Sequence, residues 1–470
     1  MGFSLGLCKS FWHAFLMAAA SSFTVAVMGL GYVGLPLAHG FLASGVRVIG
    51  IDNDPAKPEA LHAQPIRPYL KHLGQTVYGE LATAARAGRF LATTDAAYLA
   101  DADAVLVCVP TPLDEEHRPD LSYVMAASAA IGRTLRRGQV IVLESTTYPG
   151  TTREEFLRPL LAARPEWKVG IDYFVAFSPE REDPGNREYS TTQIPKLVGG
   201  LDAASTRAAA DVYRRAFTTV IAVESAEVAE AAKILENTFR AVNIALVNEL
   251  KGVFGAMGVD IWQVIEAARS KPFGFMPFYP GPGLGGHCIP IDPFYLAHRA
   301  RQLGVPSQFI ELAGRVNTNM PGKVVQVTLA VLAGVAGAGP LRDEIKGRDG
   351  RAPRVLVMGL AYKRDIDDVR ESPSFAIIEG LAAAGCLVDY TDPHVPATHR
   401  MRRRDLGMKS VEIAGPQGAA RLAEYDAVVI STDHSAFDYA QVAAHARLVI
   451  DTRNAMAVYA ERMGSRLVKA

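Results

Sequence analysis

Cysteine is scarce in this chain: Cys8, Cys108, Cys288 and Cys386 are the only four in 470 residues, and no two form a Cys-x-x-Cys pair. That spacing argues against a disulfide framework and a zinc site, so no metal is expected and a reducing cytoplasm is the natural compartment. Net charge is missing too, since 49 Lys and Arg balance 49 Asp and Glu. Nothing in that balance points to a nucleic-acid partner. The short basic run Arg400, Arg402, Arg403 and Arg404 reads as a solvated helix face, with phosphate contact as the alternative. No apolar stretch is long enough to span a bilayer, and no membrane partner is expected. Residues 1–22, mildly apolar around Phe11-Trp12-His13-Ala14, leave no separate cleavage region before a fold that starts at Phe23. They read as a disordered or non-native extension rather than a signal peptide.

What is present is the composition of a soluble globular protein of two or three domains. From Phe23 a short apolar run meets Gly29-Leu30-Gly31-Tyr32-Val33-Gly34 and then a helical pattern. The next strand, Val46 to Ile51, ends in Asp52. Ala104–Val109, Val140–Leu143 and Tyr173–Phe177 are further strand candidates between helical patterns, which predicts a parallel sheet covered on both faces. The C-terminal part repeats the plan. Arg354-Val355-Leu356-Val357-Met358-Gly359-Leu360 restates the Val-Met-Gly-Leu of residues 27–30, Asp392 matches Asp52, Asp426–Thr432 matches Asp103–Thr111, and Leu448–Asp451 parallels Val140–Leu143. Two doubly wound, Rossmann-like α/β domains are therefore expected. Between them, Ser225 to about Ala338 reads as helical, with a long helix from Glu227 to Gly258 that would join the domains and offer a dimer surface. The layout is an extension (1–22), a dinucleotide domain (23–224), a helical central domain (225–338) and a second α/β domain (339–470). Arg342 to Arg351 reads as an exposed linker.

The glycine triplet sits between a strand and a helix, with an acid about twenty residues on. Gly29 permits the tight turn, Gly31 lets backbone approach a pyrophosphate, and Gly34 allows close helix packing. The helix N-terminus then faces the phosphates. Asp52 would accept hydrogen bonds from a ribose 2′-hydroxyl and repel a 2′-phosphate, which favours NAD over NADP. The second copy has Ala361-Tyr362-Lys363 in place of the triplet's end. There Lys363 and Arg370 would suit a nucleoside diphosphate; a charged turn held by its own ion pairs is the alternative.

The stretch Gly281-Pro282-Gly283-Leu284-Gly285-Gly286-His287-Cys288-Ile289-Pro290-Ile291-Asp292-Pro293 sets one cysteine after a nearly bare backbone and a carboxylate four residues later. Glycines admit a close approach to the main chain and prolines freeze the loop, so a reactive thiol would be held in place. A turn-rich surface loop with a small buried cysteine is the bland reading. Lys233 and Asn237 lie four apart on the long helix and share a face, beside Ile234, Leu235 and Phe239, which suggests partial burial. Such a pair can stabilise an alkoxide or a tetrahedral oxyanion, or simply line a surface between domains. Thr146 and Glu180 each follow a strand end, as functional residues or as cap and turn residues.

In combination these motifs resemble the nucleotide-sugar 6-dehydrogenase family that includes UDP-glucose and GDP-mannose dehydrogenases. The resemblance runs from Phe23 to the C-terminus, through Gly29–Pro36, Val109-Pro110-Thr111-Pro112, Lys233-x-x-x-Asn237, Gly285–Pro293 and Gly359–Lys363. The wider form Phe278–Cys288 looks most like the branch acting on UDP-N-acetylhexosamines, UDP-N-acetylglucosamine above all. The resemblance implies a double oxidation of the sugar C6 alcohol to a carboxylate, with two NAD in succession and a homodimer or higher oligomer. Cys288 would trap the aldehyde as a thiohemiacetal, and a second oxidation would give a thioester that water hydrolyses. Lys233 and Asn237 would stabilise the negative oxygen, Asp292 and Thr146 would hold a proton-shuttling water, and Glu180 would activate the hydrolytic water. The cofactor site would comprise Gly29, Gly31, Tyr32, Val33, Gly34, Asp52, Pro110, Thr111 and Thr146. The substrate site would comprise Glu180, Lys233, Asn237, Phe278, Tyr279, Gly281, Gly285, Lys363 and Arg370. UDP-glucose members carry another glutamate where this chain has Pro184, so Glu182 or Asp183 is left to replace it. A hydroxyacid dehydrogenase of the 6-phosphogluconate type, a silent nucleotide-sugar binder and a cysteine hydrolase are weaker readings. The first needs neither the Gly-Gly-His-Cys loop nor a second α/β domain, retention of Cys288, Lys233 and Asn237 together argues against the second, and the third leaves the dinucleotide motif unexplained.

Overall fold

The computed structural model describes residues 23–70, 73–114, 118–181, 191–286, 288–334, 350–398 and 406–470. The 1–22 extension, Glu182, Asp183, Pro184, His287, the linker up to residue 349 and the basic residues 400–404 lie outside the described residues. The chain divides into two compact units, one of residues up to Glu236 with Phe294–Pro306, the other of Asn237–Pro293 with Ser307–Ala470.

The first unit is built on an eight-stranded sheet of order β3-β2-β1-β4-β5-β6-β7-β8. In chain order these are β1 (Thr24–Met28), β2 (Arg47–Ile51), β3 (Phe90–Thr93), β4 (Ala104–Val107), β5 (Val140–Leu143), β6 (Phe174–Phe177), β7 (Lys196–Gly200) and β8 (Val220–Ala222). Alternate residues of each strand feed opposite faces: Val25, Val27 and Val48 pack on one side, Ala26, Ile49 and Val105 on the other. Both faces are covered, which is why these strands read as continuous apolar runs. Helix α1 (Gly34–Ala43) follows the glycine turn, and α2 (Ala203–Tyr213) follows β7. One expectation needs correcting. The sheet is not wholly parallel, because β7 runs antiparallel to β6, pairing Gly200 with Ala176 and Gly199 with Phe177. Lys196 starts β7 at the edge where Glu180 leaves β6, and a chain that returns from the edge it left needs no crossover.

The second unit holds a wholly parallel sheet, order β10-β9-β11-β12-β13. Its strands are β9 (Arg354–Met358), β10 (Leu387–Thr391), β11 (Ala427–Ile430), β12 (Val449–Asp451) and β13 (Leu467–Lys469). This is the flavodoxin-like doubly wound order, where the first six strands of the other sheet follow the dinucleotide-binding order. The internal repeat extends to single hydrogen bonds. Gly29 N–H donates to Ile51 O and Gly359 N–H to Thr391 O. Leu30 N–H donates to Asp52 Oδ2 at 2.7 Å, and Leu360 N–H to Asp392 Oδ2 at 2.6 Å. Asp103 accepts from Thr24 N–H as Asp426 accepts from Arg354 N–H.

The helical stretch contributes α3 (Ala226–Ala256), α4 (Ile261–Arg269), α5 (Asp292–Gln302) and α6 (Gln308–Leu332). Apolar spacing located α3 and its partial burial. Ile234 is fully buried, whereas Leu235 is 67% and Phe239 47% exposed. Among the described residues no helix is long and apolar enough to cross a membrane.

Within the first unit α3 is tied to the turn after β5 by Glu230. Its buried carboxylate accepts from Gly150 N–H at 2.6 Å, Thr152 N–H at 2.9 Å and Thr152 Oγ1 at 2.6 Å. Burial lifts this group from 4.5 to about 7, outweighing the three donors, which act the other way. The native state thus keeps a proton that the unfolded chain gives up. The associated stability is full below pH 4.5 and lost as pH rises through about 7. The loss amounts to about 3 kcal/mol. Urea midpoints of the wild type and Glu230→Gln across this window should diverge, with the wild type losing more stability as pH rises; parallel curves would refute the assignment.

Candidate active site

In the first unit the strand order reverses between β1 and β4, the point at which sheets of this kind bind ligands outside the carboxyl ends of the strands. Gly29 has φ +93°, and a Cβ at Gly34 would lie 1.8 Å from Gly29 O, so neither position admits a side chain. A Cβ on Gly31 would meet nothing within 4 Å. Tyr32 and Val33 are half-buried beside it, and no side chain caps α1 at Val33. Bare backbone facing open space before an uncapped helix suits a pyrophosphate. Past β4, Pro110 is exposed and Thr111 is buried, its carbonyl accepting from Tyr295 Oη. Asp52 is buried and already engaged by Leu30 N–H and, at 2.7 Å, by Lys57 Nζ. Sequence reasoning missed Lys57.

Beyond β5 and β6 lies a buried charge cluster that no local motif announced. Lys196 Nζ sits 2.6 Å from Glu144 Oε2 and 3.1 Å from Glu180 Oε2. Tyr213 Oη donates to Glu144 Oε1. Burial pushes Glu144 up, against the pull of Lys196. Burial also opposes ionisation of Glu180, but the Lys196 charge and hydrogen bond, joined by Lys233, bring it below the usual range. Lys233 is buried and Thr146 half-buried, in the same unit.

In the second unit, Asn237 Nδ2 donates to Asp292 Oδ2 at 2.6 Å; both side chains are buried. Asp292 N–H in turn donates to Cys288 O at 2.8 Å. The amide, the carboxylate and the cysteine are thus linked in series. Cys288 is exposed and in no disulfide. The glycines before it make room for protein: a Cβ on Gly285 would lie 2.4 Å from Tyr362 Cβ, and one on Gly286 2.9 Å from Tyr362 Cζ. Gly286 N–H donates to Arg370 O. Gly281 N–H donates to Asn248 Oδ1 at 2.9 Å, and Asn248 Nδ2 donates to Asn317 Oδ1 of α6. Phe278 meets Phe239 edge-on, and Tyr279 stacks on Trp262 with its hydroxyl 2.5 Å from Glu266. Lys363 is half-buried, and the Arg370 fork grips Asp368. That grip is the internal ion pair weighed as the bland alternative for this segment. Asp365, His394 and His434 also converge, each with one ligating atom within 4.8 Å of the others. His434 is already engaged on both nitrogens, by Asp365 N–H and by Asp392.

Three models of one family match in chain order. They describe the NAD binding domain (residues 23–217), the central domain (227–319) and the UDP binding domain (356–458) of the UDP-glucose/GDP-mannose dehydrogenase family. The chain is 35% identical to a UDP-N-acetyl-D-glucosamine 6-dehydrogenase from Pseudomonas aeruginosa, over 88% of this chain and 91% of that protein. It is 31% identical to a UDP-N-acetyl-D-mannosamine dehydrogenase from Salmonella typhi, over 92% and 98% respectively. This chain belongs to the UDP-glucose/GDP-mannose dehydrogenase family. Among solved structures, a UDP-glucose dehydrogenase from Pyrobaculum islandicum superposes with TM-score 0.78 at 28% identity, covering 96% of this chain and 98% of the other. The protein is therefore an NAD-dependent UDP-sugar dehydrogenase, as its motifs predict.

For this dehydrogenase, the Asp52–Lys57 pair makes cofactor choice testable. Removing the carboxylate leaves a lysine ready for a 2′-phosphate and frees Leu30 N–H. Asp52→Ala should lower the preference for NAD over NADP at least about tenfold, the effect of one charge-assisted bond. Asp52→Ala with Lys57→Ala should bind both cofactors poorly. Titration of each protein with NAD and NADP checks this, and unchanged preference in the single variant would refute the role of Asp52.

Proposed function

We propose that this dehydrogenase oxidises the C6 hydroxyl of a UDP-N-acetylhexosamine, UDP-N-acetylglucosamine foremost, to the uronic acid in two successive oxidations. The observation that carries this reading is the series Asn237–Asp292–Cys288, in which a buried, amide-bound carboxylate belongs to the residue whose backbone N–H is bonded to the carbonyl of the exposed cysteine. Likeness to the Pseudomonas enzyme supports the choice of sugar. Other UDP-sugars are the second reading, mannosamine first because of the Salmonella relative, then galactosamine and glucose.

The chemistry follows from the residue types. NAD, when bound, accepts the hydride in each oxidation. Lys233 and Asn237, one turn apart on α3, stabilise the negative oxygen as charge builds on it. The Cys288 thiolate adds to the aldehyde carbon, forming a thiohemiacetal, and after the second oxidation it carries the acyl group as a thioester. Asp292 and Thr146 hold the water that relays protons. In hydrolysis Glu180 takes a proton from water while the oxygen adds to the acyl carbon. The C–S bond then breaks with its electron pair left on Cys288, and the carboxylic acid departs. Phe278, Tyr279, Gly281 and Gly285 would shape the sugar pocket, with Lys363 and Arg370 beside the diphosphate. The working division remains 23–224 for NAD, 225–338 for the thiol loop and oligomer contact, and 339–470 for UDP. A cytoplasmic homodimer is the assembly we favour, with exposed Leu235, Phe239 and Leu246 of α3 as apolar contact.

NADH formed per sugar consumed decides the matter, with the four UDP-sugars run in parallel. Two NADH per sugar, fastest with UDP-N-acetylglucosamine, is the expected result. One NADH would refute the thioester route, and a faster rival sugar would refute the substrate. Cys288→Ala should abolish uronic acid formation, so full turnover by that variant would remove the thiol from the mechanism.

A further inference from the structure

Lys196 takes no part in the chemistry as described, yet its surroundings are unusual. Its side chain is 4% exposed and its Nζ lies between two carboxylates from different strand ends, Glu144 (fully buried) and Glu180 (12% exposed). Its ammonium also lies over two aromatic rings, 5.2 Å from the Tyr213 centroid and 5.4 Å from that of Phe217. Glu144 is held on its other oxygen by Tyr213 Oη. Two buried carboxylates around one ammonium cannot both be neutralised by it, and a lone buried carboxylate would take up a proton.

We propose that Lys196 is a positioning residue for Glu180, held from behind by Glu144 and Tyr213 so that it fixes the Glu180 carboxylate in place as an anion. The inference rests on Glu180 being the base of thioester hydrolysis. Among the described residues, the charged or titratable groups around it come from five elements. Glu144 enters from the end of β5, Lys196 from the start of β7, Tyr213 from α2, Cys108 from the end of β4, and Lys233 from α3. Arg181 adds its backbone N–H to Glu180 Oε1 at 2.7 Å and spends its guanidinium on Glu236. The two cations differ in job. Lys233 is assigned to the reacting oxygen, whereas Lys196 is taken up by the two carboxylates of Glu144 and Glu180. The two acids are pushed in opposite directions, Glu144 up and Glu180 down, the pattern that separates a proton holder from a base.

Substitution of Lys196 should therefore leave the first oxidation within about twofold and change hydrolysis in a pH-dependent way. In Lys196→Met the acyl-enzyme on Cys288, followed by intact-protein mass spectrometry, should accumulate near neutral pH. Its hydrolysis should fall about tenfold per pH unit below a new, higher acidic limb that the wild type lacks. Lys196→Arg should restore the wild-type profile. Where Lys196→Met does not fold, Lys196→Met with Glu144→Gln removes one charge of each sign and is measured in its place. Carboxyl-13C glutamate NMR of the intact wild-type enzyme, with the Glu180 signal assigned through Glu180→Gln, stands whether or not any variant folds. That signal should remain an anion's from pH 8 to pH 5. A Glu180 that titrates within this range, or a Lys196→Met enzyme with the wild-type pH profile, overturns the proposal. Undiminished hydrolysis by Glu180→Gln would instead remove the base assignment on which it rests.

Discussion

Buried polar side chains on one long helix fix the loops that the chemistry needs. Glu230, Asn237 and Asn248 occur at intervals along α3, and each is hydrogen-bonded to a turn, a loop or the start of the next helix. Glu230 holds the turn after β5, Asn237 holds Asp292, and Asn248 holds the backbone of Gly281. A buried carboxylate or amide without its partner costs about 1–3 kcal/mol or more, so each loop is drawn to one position by the penalty of leaving it. Apolar packing alone would allow the same loops to slide. Catalysis that depends on a thiol, an amide and a carboxylate keeping their spacing requires directional contacts of this kind.

The same principle recurs at the strand ends. In both sheets an aspartate after the second strand receives an N–H from the loop after the first, Asp52 from Leu30 and Asp392 from Leu360. Since the second sheet has no Gly-x-x-Gly, the bond belongs to the loop architecture and precedes any cofactor contact. In the first sheet Lys57 shares the charge of Asp52. The brace is common to both copies, and in the second His434 takes the corresponding place beside Asp392.

What could be read in the sequence was what is local. The glycine turn, the apolar strands of both sheets, the repeat between them and the long helix each express a short-range rule of sterics or periodicity. Strands β3, β7, β8 and β13 were not read, being three to five residues long and bounded by few turn signals. Periodicity located α3 but not its solvent side, because Leu235 and Phe239 are as apolar as the buried Ile234. The cluster of Glu144, Glu180, Lys196 and Tyr213 was illegible for a different reason. Its members come from four separate elements, and a charged residue is expected outside until its partners are known. The reversal of β7 belongs to the same class, since it is set by where the chain re-enters the sheet. The glycines of the thiol loop were read as room for substrate, and at Gly285 and Gly286 the structure fills that room with Tyr362.

That last packing has a temporal side. The loop bearing Cys288 is shaped by Tyr362, by the carbonyl of Arg370 and, at Gly281, by the nearby guanidinium of Arg453. All three emerge from the ribosome long after the cysteine. A nascent chain therefore carries the cysteine loop with only its earlier contacts, those to Asn237 and Asn248, and the loop gains its full set of contacts only when the final strands have been made.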